Sequence, residues 1–257
     1  MQTESVSRKF GMAPGSLVYI GDGEKEPVSI TVMDYTAGSL TETAAEDLSE
    51  CLEYAAGDSV TWINISGVHD TGMIEKMGRM FDLHPLLLED VLNTESRPKL
   101  DDYDDTLFIV LKMIDYNRDI RQLDHEQVSL IIKNGVVISL QEKEGDVFNP
   151  VRERIRKAKG KIRGSGSDYL AYALIDMIVD HYFFILEQIG EQIESLQDEV
   201  TEEPCSETVR DIHRCKHQII YLRKAVWPVR EILAALLREG SELIGSETRL
   251  YLRDVYD

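Results

Sequence analysis

The sequence predicts an α/β protein: a three-layer α/β/α domain with a mixed sheet over 1–163, a long antiparallel helical hairpin over 164–245, and the start of one more helix over 246–257. Three observations carry this prediction. Short β-rich runs alternate with helical phrases up to residue 92, as in a layered α/β domain. Between Thr106 and Gln141 the apolar period changes to two. Beyond Gly164-Ser165-Gly166-Ser167, a flexible linker by composition, the pattern is wholly helical.

Taken in order, residues 1–16 read as a loose arm. Leu17 to Ile20 and Val28 to Met33 read as short strands separated by Gly21-Asp22-Gly23. Thr41 to Ala56 reads as a helix, with Thr41 as cap, acids in the first turns and Gly57 as the stop. Val60 to Ile65 is β-rich. Helical stretches follow at 70–81 and 85–92, the second opened by Pro85 at a first helical position. Leu107 to Ile114, Gln127 to Ile132 and Val136 to Leu140 are predicted strands, and Asn134-Gly135 is a strong hairpin signal between the last two. Asn149 to Lys161 reads as a basic helix.

The hairpin rests on heptad spacing. Ile175, Val179, Tyr182, Leu186, Ile189, Ile193, Leu196 and Val200 alternate steps of four and three, and Ile212, Cys215, Ile219, Leu222, Val226, Val229, Leu233 and Leu236 do the same after Pro204. Two such stripes joined by a short turn cover one another as antiparallel helices. Pro228 lies inside the second stripe and is predicted to kink that helix or free a carbonyl. A further helix begins near Ser246.

Composition narrows the function classes. Hydrophobic residues make up 43% of 257, enough for a sizeable core. The 28 basic against 47 acidic residues leave a formal charge of −19, which argues against a general nucleic-acid binder, because counterion release needs clustered Lys and Arg. Solubility, basic partners and divalent cations stay open as explanations. Cys51, Cys205 and Cys215 are irregularly spaced, as reduced intracellular thiols are, and no signal peptide is evident. Tyr169 to Leu186 is apolar enough to test as a membrane span. It carries Asp176, Asp180 and His181, each costly in lipid, so it reads as a core helix.

Several motifs carry no chemistry. Neither glycine-rich stretch has the spacing of a phosphate loop. Asp101 to Asp105 lacks the glycine and closing glutamate of a calcium loop and reads as a solvated turn. His213 and His217 share a helix face but lack a third ligand. The basic run from Arg152 to Arg163 either attracts an anion or faces the acidic body. Four acids stand out instead. Glu89 and Asp90 close the apolar phrase Leu86-Leu87-Leu88, while Asp176 and Asp180, four apart, interrupt an apolar helix. Carboxylates in such company need a basic side chain, a helix dipole or a cation, and an all-oxygen set suits Mg2+ or Ca2+ better than zinc.

The runs His84-Pro85-Leu86-Leu87-Leu88-Glu89-Asp90-Val91-Leu92-Asn93, Arg97-Pro98-Lys99, Glu126-Gln127-Val128-Ser129-Leu130, Trp227-Pro228-Val229-Arg230-Glu231 and Arg253-Asp254-Val255-Tyr256-Asp257 resemble the cytoplasmic domain of the CorA magnesium channel family. The resemblance covers roughly 80–257 in the family's order. It implies an α/β/α domain, a helical hairpin and a stalk helix, of which 246–257 would be the opening turns, with membrane spans lying beyond. It implies a homopentamer in the inner membrane, this portion cytoplasmic, and no enzymatic activity. Divalent ions between neighbouring domains would favour the closed channel. Carried over by position, the metal residues would be Glu89 and Asp90 on one side and Asp176 and Asp254 opposite, with Mg2+ as the ion and Ca2+ or Co2+ able to substitute. A related zinc transporter with the same architecture is the nearest rival. An oligomerisation scaffold with no metal role is the alternative from another class.

Overall fold

The computed structural model describes residues 11–21, 27–118, 120–202, 205–238 and 241–257. The first ten residues of the predicted arm, Asp22-Gly23 and Pro204 lie outside these. The elements run β1 (Ser29–Tyr35), β2 (Leu40–Ala45), α1 (Leu48–Ala55), β3 (Val60–Ser66), α2 (Thr71–Met80), α3 (Pro85–Leu92), β4 (Lys99–Asp102), β5 (Leu107–Asn117), β6 (Gln122–Lys133), β7 (Val136–Gln141), α4 (Asn149–Arg156), α5 (Ser167–Glu202), α6 (Ser206–Leu236) and α7 (Ser246–Tyr256).

Among the described residues seven strands form one mixed sheet, ordered β2-β1-β3-β7-β6-β5-β4. Every neighbouring pair is antiparallel except β3 and β7, which align Trp62 with Val137 and Asn64 with Ser139. Period-two patterning buries both faces. Phe108, Val110, Ile131 and Ile138 face α1, α2 and α3, whereas Leu107, Ile109, Leu111, Val128 and Leu130 face α4 to α7. This is the predicted α/β/α layering. The β6–β7 turn is Asn134-Gly135, with Gly135 at φ +74°, a conformation glycine adopts without strain. Ser167 locks that turn to the start of α5: its Oγ donates to the Lys133 carbonyl at 2.8 Å and accepts from the Gly135 N–H at 3.1 Å.

Four local expectations need correction. Thr41 to Ala56 is not one helix. Residues 40–45 form β2, an edge strand paired with β1, and the helix starts only at Leu48. Asp47 accepts the Ser49 N–H and Glu50 reaches back to the Asp47 N–H, a capping box that places the true N-terminus. Leu17 to Ile20 is not a strand: only Ile20 pairs, bridging Asn93. The basic helix stops at Arg156 and continues as a turn and a single 3-10 turn at Ile162–Gly164. Residues 101 and 102 belong to edge strand β4, and the turn lies after them, with Asp104 at φ +64°.

The helical hairpin forms as predicted, and α6 carries Pro228 without ending. Its stripe is only half used. Tyr182, Ile189 and Leu196 on α5 are buried in one cluster with Cys215, Leu222 and Val229 on α6, while Leu186, Ile193, Val200, Ile212 and Ile219 are exposed. Two helices cover one side of a heptad seam, so alternate members stay exposed. By length and composition α5 could cross a membrane, but half of its most apolar window is buried inside the molecule. Leu170, Leu174, Ile175 and Ile178 lie in one hydrophobic cluster with the sheet.

Trp62 centres the face beneath α4. Its ring meets Phe148 edge-on at 6.0 Å, and Nε1 donates to Ser139 Oγ at 2.8 Å. Trp62→Phe removes that donor and leaves a void, so urea unfolding should show a loss of about 1–3 kcal/mol.

Candidate metal centre

Helix α3 is built to present two acids. His84 caps it, Nδ1 accepting the Leu86 N–H at 3.2 Å, and Pro85 opens it. Leu87, Leu88, Val91 and Leu92 turn inward, which leaves Glu89 and Asp90 half-buried on the other side. Glu89 accepts the backbone N–H of Gly15. Asp90 is ion-paired: Lys99 Nζ lies 2.7 Å from its Oδ2 and 2.6 Å from Asp101 Oδ2. The Asp90 carbonyl also accepts Gln127 Nε2 at 3.0 Å, tying α3 to the sheet.

The second pair of acids sits across the sheet on α5 and α7. Asp176 lies half-buried one turn beyond Tyr172, whose hydroxyl donates to it at 3.4 Å. Burial raises the Asp176 carboxyl above the usual carboxylate range. The charge of Asp180 adds to this, Arg154 and the Tyr172 hydroxyl oppose it, and Asp254 pushes it further up. Arg154 Nε and Nη2 are buried without a hydrogen-bond partner, so this guanidinium balances charge nearby without occupying the carboxylate. Helix α7 is fixed by buried Leu252 and Thr248 and by Tyr251, which packs on Tyr169 and Tyr172 at 5.2 and 5.3 Å. Exposed Asp254 lines a shallow groove of about 460 Å3 with Lys161, Glu247, Leu250 and Tyr251.

The fold therefore gathers Asp176, Asp180 and Asp254 electrostatically and keeps Glu89 and Asp90 on the opposite face of the sheet. Among the described residues no three His, Cys, Asp or Glu side chains converge to hold a metal ion within one chain. The donors on α5 and α7 are oxygens, and they suit a hard cation. Sequence reasoning missed the two cations beside these acids, Lys99 and Arg154. The basic run around α4 faces the acidic body: Arg152 pairs with Asp146, Arg156 with Glu42 and Glu153, and Lys157 with Glu153.

A larger cavity of about 630 Å3, lined in part by Asp124, His125, Glu126, Lys143 and His181, opens at the end of β6. Glu126 accepts the N–H groups of Glu142 and Lys143 at 3.0 and 3.1 Å, and burial pushes its carboxyl up to about 7. A glutamate in the middle of the period-two run was the sequence signal for it.

Residues 57–257 match the family model described as CorA-like Mg2+ transporter protein. The whole chain is 45% identical over 257 residues to the cobalt/magnesium transport protein CorA of Thermotoga maritima, of which it spans 73%. In fold it matches the soluble domain of CorA from Methanocaldococcus jannaschii, with a TM-score of 0.71, 18% identity, and 88% of this chain and 86% of that one covered. It also matches the cytoplasmic domain of ZntB from Vibrio parahaemolyticus, with a TM-score of 0.66, 17% identity and 90% of each chain covered. Together with the α/β/α domain and helical hairpin described above, these matches show that the chain belongs to the CorA-like Mg2+ transporter family.

Proposed function

We propose that this chain is the cytoplasmic, Mg2+-sensing part of an inner-membrane divalent-cation channel and has no enzymatic role. The observation that carries this reading is the half-buried carboxyl of Asp176, raised by burial and by the charges of Asp180 and then Asp254, in a chain of the CorA-like Mg2+ transporter family. A complementary pair, Glu89 and Asp90, stands on the opposite face of the sheet. Two carboxylates about 4 Å apart repel by roughly 1 kcal/mol in water and up to ~4 kcal/mol at an effective dielectric near 20. A bound divalent ion supplies the charge that reverses this repulsion. With Glu89 and Asp90 of one copy opposite Asp176 and Asp254 of the next, the site is complete only between subunits of a homopentamer. Mg2+ binding then favours the closed ring, and Ca2+ or Co2+ can substitute.

Weak sites suffice for such a switch. One site stabilises its bound state by only ~0.4 kcal/mol when free ion equals Kd, and about ten such sites in a ring sum to ~4 kcal/mol. Calorimetric titration of the assembled protein with MgCl2 tests the proposal. Asp90→Ala and Asp254→Ala are each expected to weaken binding at least tenfold, and unchanged binding in both would remove the sensor assignment. Assembly that is equally strong in chelator would point instead to a scaffold without a metal role.

A further inference from the structure

We infer that Lys99 is a tethered competitor for the divalent cation at Asp90, and that Asp101 is the seat to which its ammonium withdraws when the cation binds. The inference rests on the proposed role of Asp90 as a divalent ligand. One Nζ lies 2.7 Å from Asp90 Oδ2 and 2.6 Å from Asp101 Oδ2, so both carboxylates are within reach of a single cation. Lys99 stands on edge strand β4 opposite Val110, and its ammonium lies 6.0 Å from the centre of the Phe108 ring. The Asp101 Oδ2 atom that meets Lys99 is closed off from solvent, while the Asp90 and Asp101 side chains keep 23% and 34% of their surface exposed.

The chemistry of lysine suits this role. Its ammonium is a compact single charge on a flexible four-carbon stem, and it holds a carboxylate without the two-point fork of arginine. It can leave Asp90 while staying on Asp101, so its charge stays paired during the exchange. While Lys99 occupies Asp90, the site is not competent for a divalent ion. Apparent affinity falls in proportion to the competent fraction. The ion pair thus sets the concentration at which the sensor responds. It also keeps α3 free of self-repulsion when the ion is absent.

Three substitutions make opposite predictions under one calorimetric Mg2+ titration of the assembled protein. Lys99→Met removes the charge and keeps an apolar stem near Phe108, so affinity should rise about two- to fivefold, the range expected for one partly exposed pair. Asp101→Asn removes the seat of withdrawal, holds Lys99 on Asp90, and should weaken binding several-fold. Lys99→Arg keeps the charge and adds a two-point grip, so it should bind no more tightly than the wild type. A purely structural role for Lys99 would weaken binding in the Met variant or leave it unchanged. Asp90→Ala, measured alongside, separates the failures. If it abolishes uptake while Lys99→Met does not tighten it, the competitor role falls and the sensor stands. If it changes nothing, the competitor role falls, and the sensor falls with it only when Asp254→Ala also changes nothing. Thermal melts in EDTA confirm that each variant folds. The Lys99 ammonium resonance gives a second readout: it should shift on Mg2+ addition in the wild type and stay fixed in Asp90→Ala, and a wild-type resonance that does not move would overturn the exchange.

Discussion

Asp146→Ala is expected to cost about 3–5 kcal/mol of folding stability, the penalty for leaving one member of a buried ion pair alone. The Asp146 side chain is 4% exposed and that of Arg152 15%. Two contacts of 2.6 Å join them, Nη1 to Oδ1 and Nη2 to Oδ2. Oδ1 also accepts the Phe148 N–H at 2.9 Å and so shapes the entry to α4. The guanidinium lies 5.0 Å from the centre of the Trp62 ring. Alanine at 146 strands this charge against the core and removes the turn's acceptor. Asp146→Asn keeps an acceptor for Phe148 and should lose less. Adding Arg152→Met to Asp146→Ala should recover much of the loss, because an apolar pair replaces an ionic one at small cost. Urea denaturation of the three variants measures the series. A loss below about 1 kcal/mol in Asp146→Ala would mean the pair is solvated in practice.

Glu126→Gln should act in the opposite direction and stabilise the protein at alkaline pH. The Glu126 carboxyl sits at about 7 in the folded chain, raised first by burial, against an ordinary 4.5. Folding therefore penalises the ionised form. The penalty is absent below about pH 4.5, grows through the interval, and is complete above about pH 7, where it amounts to ~3 kcal/mol. Glutamine keeps an oxygen to accept the Glu142 and Lys143 N–H groups and carries no charge. The variant's advantage should be close to ~3 kcal/mol at pH 8 and vanish near pH 4. An advantage that does not change with pH would show that Glu126 stays in one protonation state throughout.

How far the sequence revealed this structure depended on where each residue's partners lay. The run from Leu107 to Gln141 was legible because its alternating residues meet two different layers, and because Asn134-Gly135 is a local turn signal. The stretch after Thr41 was misread because composition favoured helix while pairing with β1, a nonlocal event, imposed a strand. The decisive local clue, Asp47 with Glu50, sat a few residues further on. Residues 84–92 were read correctly since His84-Pro85 fixes the helix start chemically. Carboxylates in apolar company could be picked out by eye. Their counter-cations could not, because Lys99 reaches Asp90 from another strand and Arg154 reaches Asp176 from another helix. The partners of the basic run, Glu42 and Asp146, were equally invisible, since both lie outside it.

The single parallel seam between β3 and β7 shapes how this molecule comes together. On one side of it, β1 pairs with β2, its neighbour in the chain, and with β3 shortly after; on the other, β4 to β7 pair in chain order. Each half can condense through short-range contacts, whereas joining them requires closure of the long stretch between Ser66 and Val136. That closure traps α2 and α3 on one face of the new sheet, so the acids of α3 reach their final position only when the halves meet. Folding should therefore finish at the centre of the sheet, and the proposed ion-sensing surface is a late product of that final step.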